Sequence, residues 1–218
     1  MTKKDKQGVP IIVLGMHRSG TSLVAGLLHR IGVSMGTRLL PADQFNPGGY
    51  FEDEDFLWIN KGILENAGGM WYDPPSLEKV QKSQKKFLKA LKTTIASKRA
   101  YAGTRAWGWK DPRNCLTCWT FWEFVPDARY IVVIRNPDSI CKSLLKAYGN
   151  KTNWKKLVDL YYKSVDDFLT SHANMSINVI YEELVNRKYA EESVVNILYL
   201  AGRKESDLPA ALKTIKFR

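Results

Sequence analysis

An unbroken apolar run, Val9-Pro10-Ile11-Ile12-Val13-Leu14, leads directly into Gly15-Met16-His17-Arg18-Ser19-Gly20-Thr21-Ser22. Such a run predicts a strand buried on both faces, as in a parallel sheet. From Thr21 to Ile31, Leu23, Leu27, Leu28 and Ile31 recur at helical spacing, and Gly32 follows as a stop. Strand, glycine-bearing turn and helix in this order form a cradle for phosphate. Glycines allow the tight turn, successive amides point inward, and the helix start adds free N–H groups and a positive dipole end. A nucleotide kinase loop carries Lys where this chain has Thr21, and here the cation is Arg18 inside the loop.

The rest of the chain alternates in the same way. Strands are predicted over Ala106 to Lys110, Arg129 to Ile134 and Ser176 to Tyr181. Helices are predicted over Asp53 to Asn66, Leu77 to Lys98, Asn114 to Phe124, Trp154 to Ser171 and Glu191 to Ala201. Asn136 followed by Pro137 reads as the cap and first turn of another helix. Thr37 to Tyr50, rich in Pro, Asn and Gly, reads as a loop. Alternating strands and helices imply right-handed crossovers and a three-layer α/β fold: a central parallel sheet with helices on both faces, of the P-loop nucleotide-binding type. With 218 residues, the expectation is a basic disordered tail over residues 1–8 and one domain over 9–218.

Charge narrows the partners. Lys and Arg number 33 against 22 acids, a net +11, which favours an anionic ligand without choosing among nucleotide, glycan, nucleic acid and membrane surface. Lys79, Lys82, Lys85, Lys86, Lys89 and Lys92 fall on one helix and read as its solvated face. No run approaches the about 20 apolar residues of a membrane span, and no segment reads as a secretion signal. Three cysteines do not make a disulfide framework, so a cytoplasmic location is expected. Cys115 and Cys118 lack a second ligand pair for zinc and read as core.

Met16-His17-Arg18-Ser19-Gly20-Thr21-Ser22-Leu23 resembles the 5′-phosphosulfate loop of the sulfotransferase family, in particular bacterial-type members opening with Gly-Met-His-Arg-Ser-Gly-Thr-Ser. Those enzymes use 3′-phosphoadenosine 5′-phosphosulfate (PAPS) and release the 3′,5′-bisphosphate (PAP). The resemblance implies that His17, Arg18, Ser19, Gly20, Thr21 and Ser22 bind the donor. It also implies that Arg135, at a strand end, and Ser143, eight residues on, take the 3′-phosphate. Arg offers phosphate a planar fork. Asn46-Pro47-Gly48-Gly49-Tyr50-Phe51-Glu52, Trp109-Lys110-Asp111-Pro112-Arg113 and Val179-Ile180-Tyr181-Glu182-Glu183-Leu184 are similar to further family segments, the last with Glu183 in place of Asp. The match thus runs from Ile11 to Leu184.

The implied chemistry is in-line sulfuryl transfer to a hydroxyl or amine on a small molecule, glycan or other acceptor, with no metal and no nucleic acid involved. Like phosphoryl transfer, it rests on positioning and charge stabilisation. Arg18 is assigned to the leaving phosphate and Lys110 to charge near the sulfuryl group, with pairing to Asp111 as its structural alternative. Glu52 is favoured as general base over Glu54, Asp111 and His17; its structural alternative is an acid at a helix start. Two other readings of the same residues are a small-molecule or nucleoside kinase and a non-catalytic nucleotide-binding protein. Acceptor identity and oligomeric state have no signature in the sequence.

Overall fold

The computed structural model describes residues 8–172 and 175–217. Of the expected tail, residues 1–7 lie outside the described residues. Gly8 is buried: its N–H donates to the Gly103 carbonyl and its carbonyl accepts from Trp107 Nε1.

Four parallel strands form the centre: β1 (Pro10–Leu14), β2 (Trp107–Lys110), β3 (Arg129–Ile134) and β4 (Met175–Ile180). Their spatial order is β2-β1-β3-β4, with Ile12 opposite both Trp109 and Tyr130. All five residues of β1 are buried, as a central parallel strand requires. The pleat divides them between two cores. Ile12 and Leu14 join Trp107, Trp109, Tyr130 and Val132 beneath α2 (Glu54–Asn66), α3 (Leu77–Gln84), α4 (Leu88–Ala102), α5 (Asn114–Phe121), α6 (Pro137–Tyr148) and α7 (Trp154–His172). Ile11 and Val13 join Ile131, Val133 and Val179 beneath α1 (Thr21–Arg30), α9 (Ala190–Leu200) and α10 (Leu208–Leu212). One further turn, α8 (Tyr181–Leu184), follows β4.

Caps set the helix starts. Asn136 Oδ1 accepts from the Ser139 amide at 3.0 Å, with Pro137 in the first turn of α6. Asp53 caps α2 by accepting from the Asp55 amide at 3.0 Å. The helix expected over Leu77 to Lys98 is not continuous. It tightens into a 3₁₀ turn at Lys85–Phe87, and α4 then runs to Ala102. The change of pitch turns Phe87 inward onto α2, where a Cβ on Gly62 would lie 2.5 Å from its ring. The lysines of this segment other than Lys98 are exposed, whereas Lys98 is buried. The helix after Asp111 likewise finishes in a 3₁₀ turn, Trp122–Phe124.

Trp109 is the centre of the larger core. It stacks on Phe56 at 4.1 Å, meets Phe121 edge-on at 5.1 Å, and donates Nε1–H to Asn114 Oδ1 at 3.2 Å. Trp109→Ala is expected to lower unfolding free energy by about 3–5 kcal/mol in urea titrations, the usual cost of emptying an aromatic site. A loss below about 1 kcal/mol would show that this column does not carry the core.

Candidate active site

The loop Gly15 to Ser22 joins the carboxyl end of β1 to the start of α1. Gly15 adopts φ 146° and donates its N–H to Cys115 Sγ at 3.2 Å. Gly20 adopts φ 102°, and a Cβ there would fall 2.3 Å from the ring of Tyr181. Only glycine meets both demands. Arg18, a non-glycine residue, sits at φ 69°, a conformation that surrounding contacts must hold. Among the described residues no side chain caps α1, so its first amides stay free of a side-chain partner.

Arg18 links the two predicted phosphate motifs. Its Nε donates to Ser143 Oγ at 3.0 Å and one Nη to the Phe45 carbonyl at 3.3 Å. Arg135 Nη1 in turn donates to the Arg18 carbonyl at 2.8 Å, while its guanidinium lies 4.4 Å over the ring of Tyr181. Across the cavity, Lys110 Nζ donates to Glu52 Oε1 at 2.6 Å and to Ser22 Oγ at 3.2 Å. Arg113 lies 3.7 Å from the other Glu52 oxygen. Burial pushes the Glu52 carboxyl above its ordinary range, against the pull of Lys110. Phe51, just before it, has φ 54° and turns its ring onto α1 at Gly26, which leaves Glu52 facing the cavity.

The cavity measures about 360 Å³ and is lined by His17, Arg18, Gly20, Thr21, Ser22, Glu52, Lys110, Arg135 and Ser143. Of the predicted site residues, Ser19 alone is not on its wall; it is fully buried beneath the loop. Among the other candidates for the base, Glu54 faces Arg38 at 3.7 Å, and Asp111 is held by Arg113 at 2.8 Å and Asn60 at 3.0 Å. Three contributors carried no individual assignment in the sequence. Arg113 belongs to the Lys-Asp-Pro-Arg strand end, and Tyr181 opens the Tyr-Glu-Glu-Leu segment. Asn46 pins the Pro-Gly-Gly loop by donating Nδ2–H to Ser22 Oγ at 3.1 Å and to the Gly49 carbonyl at 2.8 Å. Beyond Leu23 and Tyr181 a second cavity of about 820 Å³ opens, with Phe51, Val185, Lys213 and Lys216 on its walls.

The model of the sulfotransferase family matches residues 10–202. The chain belongs to the sulfotransferase family. Solved structures share its fold. The sulfotransferase domain of the Synechococcus PCC 7002 olefin synthase is 19% identical with a TM-score of 0.55, over 98% of this chain and 80% of that one. Sulfotransferase STF9 from Mycobacterium avium is 14% identical with a TM-score of 0.54, over 97% and 73%. The sulfotransferase from Alicyclobacillus acidocaldarius is 12% identical with a TM-score of 0.54, over 90% and 82%. At these identities the likeness is one of fold: a P-loop-type α/β sheet with its helices. No curated protein matches in sequence. Among the described residues no helix is long and apolar enough to cross a membrane.

In this sulfotransferase His17 packs 4.2 Å from Trp71, and its Nε2 is buried without a hydrogen-bond partner among the described residues. Burial, then the charges of Arg113, Lys110 and Arg18, hold its pKa well below the ordinary 6.5. The folded protein therefore refuses a proton that the unfolded chain accepts, so stability should fall as pH drops below about 6.5. The expected signature is a neutral His17 imidazole at pH 6 by NMR, with His17→Gln flattening the pH dependence of unfolding. A midpoint near 6.5 in the folded protein would contradict this.

Proposed function

We propose that the protein transfers a sulfuryl group from PAPS to a hydroxyl (or amine) acceptor, a small molecule, glycan or similar compound, by in-line displacement. The observation that carries the reading is the convergence of the Arg18 loop, the Arg135–Ser143 pair and the Glu52–Lys110 pair on one cavity. The residues present suit a doubly phosphorylated nucleotide. The amides of α1 lack a side-chain cap, Gly20 has no room for a Cβ, and Arg135 Nε is buried with no partner among the described residues. The larger cavity beyond Leu23 and Tyr181 offers room for a nucleoside.

When bound, PAPS supplies an activated sulfuryl group on its 5′-phosphate. In this proposal Arg18 and the first amides of α1 stabilise the negative charge that grows on the departing phosphate. Arg135 and Ser143 hold the 3′-phosphate. Glu52 takes the acceptor proton. Burial raises its affinity for that proton, and Lys110 and Arg113 keep the carboxylate ionised and oriented beforehand. Lys110 and Ser22 also present donors to the cavity. A cytoplasmic site of action belongs to the proposal, on the strength of three free cysteines.

Calorimetric titration with PAP in the absence of metal is expected to show binding that requires the 3′-phosphate. Arg135→Ala should weaken it about 10- to 100-fold, the range of a charge-assisted hydrogen bond. Preference for ATP with Mg²⁺ over PAP would overturn the reading. In turnover assays Glu52→Gln should slow PAPS consumption about 10²–10⁴-fold at unchanged PAP affinity, the span of general-base catalysis. An unslowed variant removes Glu52 from proton transfer.

A further inference from the structure

Lys98 lies on α4 and is not part of the cavity wall. Its side chain is 5% exposed, and the carboxylate it meets, Asp53, is fully buried. Lys98 Nζ donates to Asp53 Oδ2 at 2.7 Å, to Asp55 Oδ2 at 2.6 Å and to Thr37 Oγ1 at 2.6 Å. Asp53 also accepts from the amides of Thr37 at 2.8 Å and Asp55 at 3.0 Å. Around this ion pair two chain segments lie side by side. The Leu40 amide donates to the Glu52 carbonyl, and the Glu54 amide to the Arg38 carbonyl, each at 2.8 Å. The clamp closes the base of the loop 41–51, whose far end rests on the phosphate loop through Asn46 and Phe45.

Two physical points connect this clamp to chemistry. A buried carboxylate stripped of its cation does not stay in place; it takes up a proton or moves to water. Asp53 adjoins Glu52, so its movement moves the general base. Phe51 meanwhile holds a left-handed backbone that only surrounding contacts maintain, and the clamp is the contact on its C-terminal side.

We propose that Lys98 is a positioning residue for sulfuryl transfer: by neutralising Asp53 it fixes the pairing of residues 38–40 with 52–54, and so the placement of the Glu52 carboxylate. The proposal rests on the reading of Glu52 as base. It does not require Lys98 to touch donor or acceptor.

The test compares the full chain with Lys98→Met and Lys98→Arg. Three quantities are read: PAP affinity, amide exchange at Leu40 and Glu54, and PAPS consumption with water or p-nitrophenol as accepting probe. For Lys98→Met the expected result is PAP affinity and KM for PAPS unchanged within about threefold, with kcat lowered about 10²-fold, the cost of misplacing a catalytic group. Exchange at Leu40 and Glu54 should quicken while β1 and β3 amides stay protected. Lys98→Arg, which keeps the charge, should recover most of kcat. If Lys98→Met does not fold, Thr37→Val keeps the ion pair, removes one of its three partners and should shift the same readouts in the same direction. The proposal falls if exchange and kcat stay at parental values, or if PAP affinity drops as far as kcat. Loss of PAP binding in the parent protein would instead sink the donor reading, and the exchange at Leu40 and Glu54 remains readable in that event.

Discussion

Two adjacent carboxylates, Glu52 and Asp53, are buried, and each has its own buried lysine. In extended backbone successive side chains point to opposite sides. Glu52 therefore turns to Lys110 at the end of β2, and Asp53 turns to Lys98 on α4. Neither acid is stable in the interior alone, since removing an ion from water costs several kcal/mol unless a partner compensates. The requirement for compensation fixes where α4, the end of β2 and the loop 41–51 stand relative to one another. One of the two pairs faces the cavity and the other faces away from it.

The sheet arranges everything else. All four strands run the same way, so all four carboxyl ends lie on one side, where α/β sheets form their binding crevices. The end of β1 becomes the loop from Gly15 to Ser22. Lys110 closes β2, and Arg113 follows three residues later. The end of β3 becomes Arg135 and the start of α6, which carries Ser143. The end of β4 becomes Tyr181. Residues separated by more than a hundred positions, such as Arg18 and Ser143, thereby come within hydrogen-bond distance.

Much of this is legible in the amino-acid sequence. The apolar runs in β1 and β3 mark strands buried on both faces, whereas β4, with Ser176, Asn178 and only Val179 buried, is marked by its place in the alternation of strands and helices. The loop from Gly15 to Ser22 and the strand-end arginine carry local signatures, so they could be read directly. What the sequence conceals is long-range pairing. Lys98 looks like one more lysine on a basic helix; its burial depends on Asp53, 45 residues earlier, and no local pattern records that. Arg113 and Asn46 are polar residues that also reach partners on other elements, Glu52 and Ser22. The break at Lys85–Phe87 follows from a ring meeting the bare backbone of Gly62 on another helix, which apolar periodicity within one segment does not register.

The contact between Gly20 and Tyr181 has a consequence for how such a chain diverges. The ring of Tyr181 fills the space that any side chain at position 20 would need, and it also supports the Arg135 guanidinium. The left-handed backbone at position 20 adds a second reason for glycine, so reducing the ring alone does not free that position. Position 20 is therefore held to glycine by two separate constraints: a lineage that discards the aromatic ring removes the arginine's platform while the glycine stays. Among descendants, glycine at position 20 should thus outlast the tyrosine.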